Sequence, residues 1–171
     1  TKDAVTRSAS ERLFKMADNP HDMLRLSAEK IERAIYPVGF YRTKAKNILK
    51  ISQEIMGRFG GRVPSSIEEL LTLPGVGRKT ANLVLTQGYG KMGICVDTHV
   101  HRISNRLGLV RTKTPHLTEF ALRKVLPKRY WIEYNNLLVT WGQNVCRPVA
   151  PFCSRCSISR LCKKVGVRRN R

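Results

Sequence analysis

The chain has 171 residues, 42% of them hydrophobic, enough for one domain or two small lobes with real cores. Lys and Arg number 32 against 12 Asp and Glu, which leaves a formal charge of +20. Such an imbalance repels itself unless a polyanion neutralises it, so it points to nucleic acid ahead of a membrane surface. No apolar run approaches the roughly 20 residues needed to span a bilayer, and no signal-peptide pattern is visible.

In chain order the pattern is helical throughout. Thr1 opens inside a helical stretch that reaches Ala17, so an upstream segment is expected; Val5, Ala9, Leu13 and Phe14 mark its apolar face. Asn19-Pro20 breaks it. Asp22 to Leu26 reads as a short helical turn. Ser27 is placed to cap a helix from Ala28 to Ile35, with Glu29 and Glu32 in its early turns. Tyr36-Pro37-Val38-Gly39 is a turn, Phe40 follows it, and a long helix is expected from Tyr41 to Met56. Arg42, Lys46 and Lys50 recur at i, i+4 and i+8 on its outer face, with Ala45, Ile48, Leu49 and Ile55 on the buried side. Ser65 and Ser66, with Glu68 and Glu69 three residues on, give two overlapping capping boxes for a helix to Thr72. Further helices are predicted over 76–87, 97–107, 116–125 and 130–141. Trp131 and Trp141 fall on the last of these beside Leu138 and read as core. No stretch alternates like a strand, and the fold class is all-α.

Leu73-Pro74-Gly75-Val76-Gly77-Arg78-Lys79-Thr80-Ala81 joins two of these helices. Glycines on either side of Val76 permit φ > 0 and the close approach of another backbone. N–H groups at the start of the second helix then favour an anion, and a phosphate gripped there carries no sequence information. A plain turn between helices is the simpler alternative. Lys79 falls in the first turn of that helix. There the positive end of the dipole and the adjacent Arg78 disfavour an ammonium, and only a neutral amine attacks as a nucleophile. Asp97 opens the next helix in Val-Asp-Thr-His, as a cap and as a carboxylate able to take a proton or stabilise developing positive charge. A phosphate contact for Lys79 and a cap alone for Asp97 are the bland readings. His99 and Arg102 follow on the same helix, where a lone histidine is more often structural.

Cys146, Cys153, Cys156 and Cys162 form C-x6-C-x2-C-x5-C. Four thiols so close, without secretory features, read as a metal site rather than disulfides. Zinc sites usually carry two short Cys pairs and this has one, which favours iron–sulfur while leaving zinc open. Arg147, Arg155, Arg160, Lys163 and Lys164 surround the loop. Cys95, between Ile94 and Val96, reads as a buried small apolar residue.

The Leu73–Ala81 run, the Val-Asp-Thr-His segment and the cysteine spacing together resemble the helix–hairpin–helix DNA glycosylases, and specifically the endonuclease III family, over Thr1 to about Lys163. The resemblance implies a two-lobed fold, a helical lobe over 1–91 carrying the hairpin and an iron–sulfur lobe over 92–171, with the DNA cleft between them. It implies a bifunctional glycosylase and AP lyase that removes oxidised pyrimidines from duplex DNA. Lys79 attacks C1′ of the damaged nucleotide, Asp97 is the acidic catalytic residue, and the strand is cut by β-elimination. A [4Fe–4S] cluster sits on Cys146, Cys153, Cys156 and Cys162. Phe40 matches a wedge that fills the gap left by the extruded nucleotide. Arg42, Lys46, Gly75, Val76, Gly77 and Arg78 join it as DNA contacts. The family's second gap-filling residue, a glutamine, falls before Thr1. The partner is duplex DNA with a damaged base or an abasic site; a monomer is expected, in the cytoplasm or nucleoid of a prokaryote or in a eukaryotic nucleus or mitochondrion. A mismatch-specific thymine glycosylase is the enzymatic alternative. A non-catalytic helix–hairpin–helix module explains the charge and hairpin but not the lysine–aspartate pair.

Overall fold

The computed structural model describes residues 1–171: nine α-helices and no strand, in two compact units, Thr1–Val76 and Gly77–Arg171. No helix is long and apolar enough to cross a membrane.

The first unit holds α1 (Asp3–Phe14), α2 (Pro20–Met23), α3 (Ala28–Ile35), α4 (Tyr41–Phe59) and α5 (Ile67–Thr72). Side chains cap the starts of α2, α3 and α5. Asn19 accepts the Asp22 N–H with Pro20 at the first helical position, and Ser27 accepts the Lys30 N–H at 3.3 Å. Ser66 caps α5: its hydroxyl accepts the Glu69 N–H at 3.2 Å and donates to Glu69 Oε2 at 2.8 Å, so the Glu69 carboxylate returns to the cap's hydroxyl. α4 runs past its predicted end at Met56 to Phe59, because Gly57 continues the helix and Gly60, at φ 57°, stops it. Ala9, Leu13, Met23, Ile31, Ala34, Ile35, Val38 and Ala45 make the core, with α3 packed on α1 and α4. Complete burial of Ile31 alone contributes on the order of 1.5–3 kcal/mol. Phe14, expected on the buried face, is 58% exposed. It lies about 100° around the helix from Leu13, off the stripe of Ala9 and Leu13 that joins the core. Arg12 closes the end of α3, donating to Ala34 O at 2.8 Å and to Tyr36 O.

The second unit holds α6 (Arg78–Leu83), α7 (Thr98–Leu107), α8 (Pro115–Val125) and α9 (Trp131–Asn144). α6 passes into a π-helical turn, Val84–Gly88, where one continuous helix was expected. There the Thr86 hydroxyl donates to Asn82 O at 2.8 Å, a side-chain competitor for the helical ladder. Thr114 caps α8, with Pro115 at its first position. Ile94, Val100, Ile103, Leu122, Trp131 and Leu138 form the core, with Trp141 packed against it. The Trp131 indole N–H donates to Leu126 O at 2.8 Å, so the ring is buried with its polar atom satisfied. α9 meets α7 at Gly142, where a Cβ would stand 2.1 Å from His99 Nδ1. The compact units divide at Val76/Gly77. Helix α6 is tied to the C-terminal part of the chain by hydrogen bonds: the Cys95 thiol to Lys79 O, Arg78 to Glu119, and Arg123 to Asn82.

Candidate active site

Leu73 to Val76 form a tight turn closed by the Val76 N–H on Leu73 O at 3.1 Å. Pro74 then Gly75 at φ 75° is the type II order. The positive φ favours glycine, and a Cβ there would meet Asn47 Nδ2 at 2.5 Å, so the Asn47 amide would have to move aside. Gly77 differs. It is extended at φ −95°, caps α6 without a side-chain bond, and has open space where a Cβ would point. The first N–H groups of α6 therefore lack a side-chain cap from Gly77, the arrangement an anion completes.

Lys79 lies in the first turn of α6 and is exposed. Asp97 caps α7, accepting the Val100 N–H on Oδ1 at 2.8 Å, and is half-buried. Cys95 stands between them, as buried as the sequence suggested at 3% exposure. Its thiol donates to Lys79 O at 3.5 Å, and Asn135 donates to Cys95 O at 2.9 Å. Burial pushes this thiol up to about 11 against the pull of Lys79, while Asp97 and Glu119 push it the same way as burial. Three charged groups thus surround one buried, unreactive thiol. An amine and a rigidly held carboxylate share this neighbourhood, which is what attack at an electrophilic carbon with proton removal requires.

Arg78, expected among the DNA contacts, turns its guanidinium to Glu119. Nε donates to Oε2 and Nη2 to Oε1, both at 2.8 Å, and the group stacks on Phe120 at 4.9 Å. Glu119 is 2% exposed; burial pushes its carboxyl up, but the hydrogen bonds from Arg78 and Arg123 prevail and hold it low. Sequence reading missed this acid. The available signal was a carboxylate on the apolar face of α8, three residues before the fully buried Leu122, in a chain with only 12 acids.

On the first unit, Phe40 is 85% exposed and left-handed at φ 58°, heading α4. A non-glycine residue there costs about 1–2 kcal/mol. An exposed aromatic held at that cost is a feature to be explained by contact with something outside the chain. Arg42, Lys46 and Lys50 are exposed on the same helix, as their spacing predicts.

All four loop cysteines are free and line one cavity of about 30 Å³ with Ile103, Arg106 and Trp141. No three cysteines, histidines or carboxylates close to the spacing of a single bound ion. Burial raises the Cys153 thiol; Lys164 opposes, and Cys146, Cys156 and Cys162 raise it further. Crowded sulfurs of this kind gain from a shared cationic group. Donors already point at them: the Lys164 N–H reaches Cys162 Sγ at 3.3 Å and Arg106 Nη1 reaches Cys146 Sγ at 3.5 Å. Bonds to sulfur are what a thiolate-held cluster uses, so the residues fit one. Arg106 also donates to Arg147 O and Pro148 O, at 2.7 and 2.6 Å, and Arg102 to Cys146 O at 2.9 Å. His99 Nδ1 is 3.1 Å from Arg102 Nη2 and serves this packing.

Residues 1–128 match the family model described as HhH-GPD superfamily base excision DNA repair protein. Endonuclease III of Thermotoga maritima is 47% identical over 95% of this chain and 76% of its own. Endonuclease III homolog 2, chloroplastic, of Arabidopsis thaliana is 44% identical over 95% of this chain, which spans 44% of that longer protein. A solved endonuclease III trapped in a covalent intermediate with DNA superposes with a TM-score of 0.90 at 37% identity, covering 95% of this chain and 77% of that one. Hairpin, lysine, capped aspartate and cysteine loop thus stand in a chain that belongs to the HhH-GPD superfamily of base excision DNA repair proteins, among its endonuclease III relatives.

Proposed function

We propose that the chain is a bifunctional DNA glycosylase and AP lyase that removes oxidised pyrimidines from duplex DNA. The observation that carries this is the pairing of Lys79, in the first turn of α6, with Asp97, capped onto α7, around buried Cys95. The damaged nucleotide leaves the stack, and Phe40 fills the space it vacates. Positive charge builds on the sugar opposite the Asp97 carboxylate as the C1′–N bond breaks, the base leaves with a proton from water, and the neutral Lys79 amine forms the new bond to C1′. Asp97 then takes one proton from the ammonium so formed and returns it to O4′ as the ring opens. Ring opening gives an imine between Lys79 and C1′; loss of the C2′ proton then expels the 3′ phosphate, and water releases Lys79. Backbone N–H groups of Gly75, Gly77 and Arg78 hold a phosphate, the Val76 N–H being committed to Leu73 O, and Arg42 and Lys46 add charge to the duplex contact.

Cys146, Cys153, Cys156 and Cys162 would hold a [4Fe–4S] cluster, which would supply shape to the basic loop rather than a hydrolytic centre. The protein works as a monomer wherever the DNA is kept.

Borohydride trapping on a duplex with one oxidised pyrimidine tests the reading. The parent chain is expected to form a covalent adduct and Lys79→Gln none. Equal strand cleavage by both would remove Lys79 from the chemistry. Faster base release from T·G pairs than from oxidised pyrimidines would move the substrate to mismatched thymine.

A further inference from the structure

Glu119 is a buried carboxylate shared by two arginines. Arg78 meets it bidentately, and Arg123 reaches Oε1 through Nη2 at 3.0 Å and Nε at 3.2 Å. Both guanidiniums are stacked as well, Arg78 over Phe120 and Arg123 over Trp131 at 5.0 Å. Asn82, 1% exposed, donates to Arg78 O at 3.1 Å and accepts from Arg123 Nη2 at 3.3 Å. A buried ion cluster adds little net stability over apolar residues of the same volume, but these bonds and stacks hold the side chains that make them in one arrangement.

That geometry bears on Lys79. The Arg78 carbonyl belongs to the rigid peptide plane that ends at the Lys79 Cα. Asn82 holds that plane, and the Arg78 side chain is clamped by Glu119. The next plane is held by the Cys95 thiol on Lys79 O. Both planes meeting at the Lys79 Cα are therefore pinned from within the second unit, while the lysine side chain stays exposed.

We propose that Glu119, acting through Arg78, is the positioning residue of the nucleophilic lysine: it fixes the first turn of α6 so that the Lys79 amine meets C1′ in line. The proposal rests on Lys79 being the nucleophile. It also reassigns the Arg78 side chain from a phosphate contact to a clamp.

Single-turnover borohydride trapping on an abasic-site duplex tests it, because that substrate needs no base release. Rate constant, adduct amplitude and Kd are measured for the parent, Lys79→Gln, Arg78→Ala, Arg78→Lys and Glu119→Gln, each well below its melting temperature. Expected are at least tenfold lower rate constants at saturating DNA for Arg78→Ala and Glu119→Gln, with amplitude and Kd within about twofold of the parent, in line with the sensitivity of near-attack geometry to small misplacement. Arg78→Lys should recover part of the rate. Reduced amplitude at an unchanged rate constant would mean a merely structural role and overturn the proposal. A weaker Kd with an unchanged rate constant, and a salt slope smaller by about one, would return Arg78 to the phosphates. If Glu119→Gln does not fold, the two Arg78 variants decide. No adduct with the parent, or an adduct with Lys79→Gln, would defeat the Lys79 reading itself and the proposal with it.

Discussion

Asp97 commits one carboxylate oxygen to its helix, Oδ1 accepting the Val100 N–H. A cap and a catalytic carboxylate ask for different things at this position, and one substitution separates them. Asparagine caps as well as aspartate but neither takes a proton nor balances a cation. Asp97→Asn should therefore melt within a few tenths of a kcal/mol of the parent, while base release falls by roughly 10²–10⁴. Asp97→Ala should also lose about 1 kcal/mol of stability. Thermal melts beside glycosylase rates check both, and full base release by Asp97→Asn would leave Asp97 a cap alone. Phe40 poses the reverse case: its strained, exposed conformation contributes nothing visible to the first unit's core, which is why contact outside the chain is the economical reading.

Among the elements, α7 carries the most. Asp97 starts it, and its last turns reach the cysteine loop. Arg106 holds the loop's carbonyls and Cys146 Sγ, while Arg106 O receives the Val165 N–H at 3.0 Å. Gly142 on α9 leaves room for His99 and Arg102 against it. The loop is irregular, with two short 3₁₀ turns and no core of its own among its buried residues, so its order should depend on what the cysteines hold. Purified protein should be yellow-brown with broad visible absorbance and four irons per chain, and Cys153→Ser should lose the colour and expose the loop to protease. A colourless preparation with stoichiometric zinc would replace the cluster with a zinc site.

For the whole molecule, charge is the governing quantity. A net +20 keeps the chain soluble but makes it repel itself, and a bound polyanion relieves that repulsion. Duplex binding should weaken with a log–log salt slope of about −0.9 for every phosphate neutralised. Titrations between low and physiological salt measure that slope, and a flat response would separate the charge from DNA binding.

The sequence by itself determined what acts over one or two turns of chain. The caps at Ser27, Ser66 and Asp97, the Pro74-Gly75 turn, the exposed face of Arg42 and Lys46, the helical class and the cysteine spacing all arise from neighbours close along the backbone. Lys79 and Asp97 were legible as candidates for the same reason, each standing at a helix start. What remained for the tertiary structure was the choice of distant partner. Arg78 and Glu119 lie 41 residues apart, and no local pattern says that the guanidinium prefers a buried carboxylate to a phosphate. The exposure of Phe14, the π turn after α6 and the division at Val76/Gly77 have the same origin. Which faces meet is set by packing across the fold, and a one-dimensional period specifies that a face exists without specifying what covers it.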